Sequence, residues 1–367
     1  MIHGKTIFHT KVVCLNDADV EQKHYFCNPK SKRKMKKYII TILAALVLAS
    51  CGEKQNQNTT TKKDETKKNI VVPTFSADSA YQFVKAQTDF GPRVPETPAH
   101  QQCAEWLTAR LSEFADTVMV QDFRTRIFNG QNVDGQNIVA SFNPDAKKRI
   151  VLCAHWDSRP FADHDADEAN WNTPIDGAND GASGVGILME CARLFKLQPL
   201  NEKLGVDIIL FDLEDYGPRQ DEAEKYYDGE NQWALGSQYW AKQPHVYGYK
   251  AYYGILLDMV GGSNPNFPKE YYSQGFAAWL SNKVWSKAYS LGYSHCFSNE
   301  LGDPISDDHI PMNQAGLPTI DIIDLQPNSN NGSFPETWHT LNDNISNIDK
   351  ETLGMVGNLV VNVVYGE

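Results

Sequence analysis

Cysteine is scarce in this chain, and its spacing argues against one common kind of zinc site. The 367 residues include seven cysteines, and no two of them form a C-x-x-C pair. A zinc site built from cysteine pairs is therefore not expected. A disulfide would be allowed in an oxidising compartment, but the sequence assigns no pairing among the four cysteines beyond residue 51. These four are Cys103, Cys153, Cys191 and Cys296.

The apolar stretch near the N-terminus is too short to span a membrane. Ile39–Ala49 and its neighbours form a run of about 12 residues, whereas a spanning helix needs about 20. The run follows the basic segment 32–37 and ends in small residues, which is typical of a secretory signal. Leu48-Ala49-Ser50-Cys51 resembles a bacterial lipobox, and this implies that Cys51 becomes the lipidated first residue. Met35 is then the expected start.

These features divide the chain into three parts. Residues 1–50 are interpreted as a signal region, 51–74 as a flexible tether, and 75–367 as a single catalytic domain. The tether is rich in Lys, Thr, Gln and Asn and lacks large apolar residues from 52 to 69, which is typical of a disordered linker. We expect an exported, monomeric bacterial envelope protein on the periplasmic side, which contacts the membrane only through its lipid anchor.

The net charge is strongly negative. It is −12 for the whole chain, and residues 1–50 are themselves basic, so the remainder is more acidic still. Such a surface argues against nucleic acid as a partner. A negatively charged surface is compatible with cationic or amine-bearing substrates, although solubility alone also explains the charge. The acidic stretch Asp163–Glu168 is interpreted as a solvated loop, because its spacing is not that of a calcium-binding EF-hand.

Short apolar runs alternate with helical patterns through most of the chain. Runs rich in Val, Ile and Leu predict buried strands, and these are Asn137–Phe142, Ile150–Ala154, Val206–Leu213, Tyr252–Leu257 and Thr319–Ile323. Apolar residues at spacings of three and four predict helices, and these patterns cover 103–114, 185–195, 276–291 and 353–363. Ser183 is the expected N-cap of the second helix. The alternation predicts an α/β fold with three layers, α/β/α, around a central, mostly parallel, twisted mixed sheet.

Acidic residues and histidines stand where several predicted strands end. His155 and Asp157 follow one strand, Glu214 and Asp215 another, and Asp258 a third. Ligands of open α/β sheets bind beyond the carboxyl ends of the strands. Asp180, on a loop leading into a helix, and His339, on a polar loop near the C-terminus, add further candidate ligands. Sets of Asp, Glu and His with a neighbouring free carboxylate are what a catalytic zinc site needs.

The same positions carry a family resemblance. His155-x-Asp157, Asn179–Gly184, Glu214-Asp215, Leu257–Met259 and the late His339 resemble the zinc aminopeptidase clan, which implies an aminopeptidase-like fold. Asp307–Pro311 and Phe334–Asn344 narrow the resemblance to bacterial and animal zinc-dependent glutaminyl cyclases, the glutaminyl-peptide cyclotransferases. Phe90–Arg93 and Trp233–Ser237 also fit. The resemblance covers nearly all of residues 75–367.

The resemblance implies a role for each matching residue. One zinc ion per chain would be bound by Asp180, Asp215 and His339. Glu214 would transfer protons, and Asp258 and Asp307 would form a hydrogen-bonded acidic pair beside the substrate amine. The pocket would be lined by Trp233, Phe334 and Trp338. The implied reaction converts the N-terminal glutamine of peptides and proteins to pyroglutamate and releases ammonia.

The pair Glu214-Asp215 departs from the animal enzymes, which usually carry Glu-Glu. An aspartate is one methylene shorter, so the metal must lie nearer the backbone or the loop must move. Adjacent strand residues point to opposite sides. Glu214 and Asp215 can therefore divide proton transfer and metal binding only if the strand has ended before them.

Two other functions stay open at this point. A two-zinc aminopeptidase would use His155 and Asp258 on a second metal with Asp180 as the bridge, and all these residue types are present. Trp338 beside His339 and the acidic motif at Asp307 favour the cyclase. A non-catalytic tethered binding lipoprotein is the second alternative, and Glu214 argues against it because a dead site has no need of a carboxylate there.

Overall fold

The structure, a computed structural model, describes residues 71–229 and 231–367. The predicted signal region, the lipidation site Cys51 and the tether up to residue 70 lie outside the described residues, so they stay predictions. Within the described ranges, no helix is both long enough and apolar enough to cross a bilayer.

Strands and helices alternate along most of the described chain. The helices are α1 Ala77–Thr88, α2 Pro98–Phe114, α3 Ala182–Leu197, α4 Ala223–Tyr226, α5 Leu235–Lys242, α6 Tyr271–Ser290, α7 His309–Gln314 and α8 Lys350–Tyr365. The strands are β1 Thr117–Arg126, β2 Asn132–Phe142, β3 Lys148–His155, β4 Leu204–Phe211, β5 Gly254–Asp258, β6 Phe267–Lys269, β7 Phe297–Leu301 and β8 Thr319–Ile323.

Six strands form the central sheet in the order β1-β2-β4-β3-β5-β8. The four strands β4, β3, β5 and β8 run parallel to one another. Strand β2 pairs antiparallel with both β1 and β4. Strands β6 and β7 form a separate two-stranded sheet. The predicted mixed, mostly parallel sheet is confirmed, and it places the carboxyl ends of β4, β3 and β5 side by side.

Helices cover both faces of the sheet. Leu152 and Ala154 of β3 belong to the larger apolar core, where α1, α3, α6 and α8 pack. Their neighbours Val151 and Cys153 point to the opposite side, into a smaller core with Trp240 of α5 and Met312 of α7. Successive residues of a strand face opposite sides of a sheet, so this alternation confirms the three-layer α/β/α prediction.

Two local helix predictions are wrong. The N-cap of α3 is Gly181 rather than Ser183. The Ser183 hydroxyl lies inside the first turn, where it donates to the Asn179 carbonyl at 2.6 Å and accepts the Val260 N–H at 3.0 Å. The pattern 276–291 begins with Phe276 and so places this residue on the apolar face of its helix, but Phe276 is 48 % exposed. Helix α6 is interrupted at the following residue, Ala277, where φ is −142°.

Candidate metal centre and active site

Three loops bring Asp180, Asp215 and His339 together. The His339 Nε2 lies 3.2 Å from the Asp215 Oδ1 and 3.7 Å from the Asp180 Oδ2. One potential ligand atom from each residue lies within 4.8 Å of the other two, and all three residues are buried. The structure thus places the three predicted metal ligands around one point.

The turn after β4 carries Glu214 and Asp215. The strand ends at Phe211, two residues earlier than predicted, and Leu213 adopts the left-handed region with φ of 58°. The Asp157 carboxylate accepts the N–H groups of both Glu214 and Asp215 at 3.1 Å. Because both residues lie beyond the strand, their side chains are not forced to opposite faces. The condition for dividing proton transfer and metal binding between them is therefore met.

The position of Asp180, in the loop before α3, is fixed by hydrogen bonds to the backbone of that loop. The Asp343 carboxylate accepts the N–H of Asn179 at 2.7 Å and of Asp180 at 3.0 Å. Burial, reinforced by the charge of Asp180, raises the pKa of Asp343 to about 7. Gly181 has φ of 101°, and a Cβ there would lie 2.6 Å from the Asp157 carbonyl oxygen. Only glycine fits this close approach without displacing the backbone.

Asp163 is a site residue that the sequence interpretation missed. It belongs to the stretch assigned to a solvated acidic loop, yet it is only 4 % exposed. Its Oδ1 lies 3.2 Å from the His339 Nδ1. A carboxylate on one imidazole nitrogen orients the other toward a metal. The only signal in the sequence was the spacing of four residues between Arg159 and Asp163, which is too common to indicate a function.

A second group of possible ligands shares Asp180. The His155 Nε2 lies 3.0 Å from the Asp180 Oδ1 and 3.3 Å from the Asp258 Oδ1. These three residues also satisfy the spacing of a metal site. The two carboxylate oxygens of Asp180 thus face His155 and His339 respectively. This is the arrangement of a bridging carboxylate, so the geometry accommodates a second metal ion.

The pKa values of the buried side chains at this sheet edge favour the binding of a cation. Burial raises the pKa of Asp258 to about 7, and the charges of Asp180 and Asp307 add to the effect. Burial acts to lower the pKa of His155, but hydrogen bonds to Asp157, Asp180 and Asp258 outweigh it and raise that pKa well above its ordinary range. In a cluster of buried carboxylates, a bound cation can take the place of the protons that the carboxylates would otherwise retain.

Asp307 lies in a further buried cluster behind Asp258. One potential ligand atom from each of Asp307, His309 and Asp321 lies within 4.8 Å of the others. The His309 Nε2 is 3.2 Å from the Glu270 Oε2. Burial, followed by the charge of Asp307, raises the pKa of Asp321 well above its ordinary range. The charge of Asp307 also raises the pKa of Asp258, but the predicted hydrogen bond between these two residues is not present. The Asp307 Oδ1 accepts the Asp308 N–H, and its Oδ2 has no hydrogen-bond partner.

Aromatic rings enclose His339. The Trp338 ring stacks on the His339 ring with 3.7 Å between centroids, and Phe334 stacks on Trp338 at 4.4 Å. The Trp233 ring lies nearly parallel to the His339 ring, with 6.4 Å between centroids and an interplanar angle of 15°. Phe334 and Trp338 are buried, whereas Trp233 is half-buried. The three predicted pocket residues are thus brought together around one candidate ligand.

Backbone strain is concentrated in the loops of this edge. Leu213, Ala234, Met259 and His339 all have φ between 48° and 58°. Non-glycine residues adopt this left-handed region uncommonly and at some cost in energy. Such residues cluster at functional sites, where the surrounding structure holds them. The strain supports a functional assignment of these loops.

Comparison with known proteins agrees with this geometry. A model for peptidase family M28 matches residues 137–364. The glutaminyl-peptide cyclotransferase of Gloydius blomhoffii is 29 % identical over 243 residues, which make up 59 % of this chain and 61 % of that protein. This chain therefore matches about three fifths of the length of that curated relative.

Two solved structures from Bacteroides thetaiotaomicron are more similar. One is a glutaminyl cyclase bound to N-acetylhistamine, with 50 % identity, a TM-score of 0.76, and coverage of 81 % of this chain and 100 % of that chain. The other is described as a leucine aminopeptidase precursor, with 50 % identity, a TM-score of 0.75, and coverage of 81 % and 99 %. The two descriptions name different reactions, so the choice between them depends on the site.

Proposed function

This chain belongs to peptidase family M28, and from that premise we propose that it is a zinc-dependent glutaminyl-peptide cyclotransferase. Its substrates are peptides and proteins with N-terminal glutamine, which it converts to pyroglutamate with release of ammonia. The observation that carries the proposal is that two tryptophan rings, Trp338 and Trp233, lie nearly parallel to the His339 ring, with centroids 3.7 Å and 6.4 Å away. A pocket of this kind suits one small terminal residue and restricts passage of an extended chain.

The residues present fit a single catalytic zinc. Asp180, Asp215 and His339 supply oxygen and nitrogen ligands, and catalytic zinc sites use three protein ligands with one open position. The Asp215 Oδ2 is buried and has no hydrogen-bond partner, as expected of an atom directed at a cation. When bound, zinc would act as a Lewis acid on the substrate's side-chain amide and stabilise the developing negative charge on its oxygen.

The substrate supplies its own nucleophile. The α-amine of an N-terminal residue has a pKa of about 7.7–8, so a useful neutral fraction exists near neutral pH. Its nitrogen attacks the side-chain amide carbon, a C–N bond forms to close the five-membered ring, and the original amide C–N bond breaks. Glu214 takes the proton from the amine and returns it to the departing nitrogen, which leaves as ammonia.

The remaining site residues position the reacting groups. Asp258 and Asp307 hold the amine through hydrogen bonds and charge. Trp233, Phe334 and Trp338 fold the glutamine side chain back toward its own amine. Because the reaction is intramolecular, correct folding of the substrate accounts for much of the rate increase.

A two-zinc aminopeptidase is the second candidate function. The specific observation in its favour is that the Asp180 Oδ1 faces His155 at 3.0 Å while the Oδ2 faces His339 at 3.7 Å. With a second metal at His155 and Asp258, the site would activate water and hydrolyse the first peptide bond.

Mass spectrometry of a peptide such as Gln-Phe-Ala after incubation with the protein distinguishes the two functions. Cyclisation would reduce the peptide mass by one ammonia, and a chelator would abolish the change. Free glutamine with a shortened peptide would establish the aminopeptidase instead. An unchanged peptide together with bound zinc would favour a binding lipoprotein.

The cellular location is a further part of the proposal. The basic segment, apolar stretch and lipobox-like sequence before Cys51 support export and lipid attachment at that cysteine. The protein would then act as a monomer on the periplasmic side. Metabolic labelling with a radioactive fatty acid tests this, because a Cys51→Ser variant should lose the label and the membrane association together.

A further inference from the structure

A buried ion pair lies behind the proposed metal centre. The Arg159 Nε donates to the Asp163 Oδ1 at 2.9 Å, and its Nη2 donates to the Asp163 Oδ2 at 2.6 Å. Both side chains are 1 % exposed. Paired contacts of this type fix orientation as well as charge. The pair therefore acts as a rigid unit in the loop that follows β3.

Arg159 also holds the loop that carries Asp215. Its Nη1 donates to the carbonyl oxygens of Asp215 at 3.1 Å and Gly217 at 3.3 Å, and its Nη2 donates to that of Pro218 at 2.9 Å. Its guanidinium carbon lies 4.6 Å from the centroid of the Trp233 ring. One side chain thus contacts a metal-ligand loop and a wall of the pocket.

Asp163 connects the same unit to His339. Its Oδ1 is 3.2 Å from the His339 Nδ1, and its Oδ2 accepts the N–H of Gln220 at 2.9 Å. With a carboxylate on the Nδ1, the ring presents its Nε2 to a metal. The Arg159–Asp163 pair therefore contacts two of the three proposed zinc ligands. Asp163 lies at the His339 Nδ1, and the Arg159 Nη1 lies 3.5 Å from the Asp215 Oδ1 as well as at the Asp215 carbonyl oxygen.

We propose that Arg159 is a positioning residue for the zinc site. Through the loop 215–218 it sets the place of Asp215, and through Asp163 it sets the ring of His339. Through its contact with Trp233 it orients the pocket wall at the same time. The inference rests on the proposed function, since it takes Asp180, Asp215 and His339 as the zinc ligands.

Lysine is not an adequate substitute at this position. A guanidinium presents five donors in a fixed planar fork, whereas an ammonium has three donors on a flexible stem. In an Arg159→Lys variant the charge would remain, but the geometry linking Asp163, the carbonyl groups and Trp233 would be lost. Substitutions behind metal ligands typically weaken metal affinity or activity by about 10- to 100-fold.

The zinc dissociation constant, measured by competition with a chelator, tests this inference. We expect Arg159→Lys and Asp163→Asn each to weaken zinc binding by about 10- to 100-fold, and excess zinc to restore much of their kcat. Arg159→Lys should also raise KM at saturating zinc, because Trp233 is affected, whereas Asp163→Asn should not.

The pair Arg149–Asp207 provides a matched control. Its Nη1 to Oδ1 distance is 2.8 Å, and its side chains are 9 % and 1 % exposed, but Arg149 lies at the start of β3, away from the site. Arg149→Lys and Asp207→Asn should reduce stability without changing zinc affinity. Equal loss of zinc in the control variants, or wild-type zinc affinity in folded Arg159→Lys and Asp163→Asn, would overturn the inference.

A His339→Gln variant separates this inference from the proposed function. If His339→Gln loses zinc but the Arg159 and Asp163 variants do not, only the positioning role is wrong. If His339→Gln binds zinc like the wild type, the ligand assignment fails and the positioning role fails with it.

Discussion

Glu214 and Asp215 show how neighbouring residues acquire different roles. Both N–H groups are held by the single carboxylate of Asp157, so the turn is rigid at the point where the two side chains diverge. Arg159 holds the carbonyl of Asp215. The backbone of Asp215 is thus held on both sides of its Cα, and this fixes the position of the shorter aspartate side chain. We attribute metal binding to Asp215 and proton transfer to Glu214.

Replacing Glu214 should separate proton transfer from zinc binding. We expect Glu214→Gln to lower kcat by about 10²- to 10⁴-fold, the usual contribution of a general base, with little change in the zinc dissociation constant. Steady-state cyclisation and metal content, measured on the same preparation, check this. Glu224→Gln on the exposed helix α4 is the control. A loss of zinc in Glu214→Gln would show that Glu214 is a ligand.

At the scale of elements, the loops at the carboxyl end of the sheet carry the site, and the strands only position them. The apolar runs in the sequence predicted the four parallel strands β3, β4, β5 and β8, because burial on both faces leaves a clear pattern. They misplaced the end of β4 by two residues, since Asp212 and Leu213 remain buried after the strand pairing stops at Phe211. Hydrophobicity alone does not mark that boundary.

The candidate site residues that the structure brings together could be named from the sequence because each follows a strand or lies in a specific motif. Asp163 was not recoverable, because its stretch is acidic and its burial depends on Arg159. The exposure of Phe276 was missed because a helical pattern does not reveal a break at Ala277. Contacts between distant segments decide these cases, and they leave little trace in local sequence.

The glycine loop before α3 offers a prediction at this scale. Gly181→Ala should destabilise the protein and weaken zinc binding, because the new Cβ would approach both the Asp157 carbonyl and the His155 ring. Gly248 also has a positive φ, of 68°, but a Cβ added at this position would have no other atom within 4 Å. Gly248→Ala is therefore the control. Chemical denaturation should show a penalty of about 1–2 kcal/mol for Gly248→Ala, from the backbone alone, and a larger one for Gly181→Ala. Equal penalties would contradict the account of the loop.

At the scale of the whole molecule, one buried carboxyl outside the ligand groups should influence stability. Burial raises the pKa of Asp324 to about 7, although the Asn266 N–H at 2.8 Å and the Gln326 Nε2 at 2.7 Å both donate to its Oδ1. The folded state therefore prefers the neutral carboxyl. The resulting cost of ionisation is absent below the ordinary pKa of about 4 and complete above about pH 7.

An Asp324→Asn variant tests whether ionisation of Asp324 destabilises the folded protein. The amide keeps an acceptor for both donors and carries no charge, so we expect the variant to be more stable than the wild type at pH 8, by about 2–4 kcal/mol. The difference should shrink toward zero near pH 4. Urea denaturation at pH 5 and pH 8 measures it. A variant that is less stable at pH 8 would show that Asp324 is ionised and satisfied in the folded protein.

The part of the molecule that the structure describes combines one sheet edge, two groups of possible ligands that share Asp180, and tryptophan rings packed against His339 in one of these groups. The His155 group belongs to the architecture of the aminopeptidase alternative. The His339 group would hold a metal in both proposed functions, and the neighbouring rings of Trp338 and Trp233 favour the cyclase. The central claim is that one zinc ion at the His339 group is sufficient for cyclisation.

Titration of the metal-free protein with zinc tests that claim most directly, with pyroglutamate formation from a Gln-initiated peptide as the readout. The account predicts that the cyclisation rate reaches its plateau at one zinc per chain, that His155→Gln leaves this stoichiometry unchanged, and that no free glutamine forms. A plateau only at two zinc ions per chain, accompanied by release of free glutamine, would contradict it and establish the two-zinc aminopeptidase.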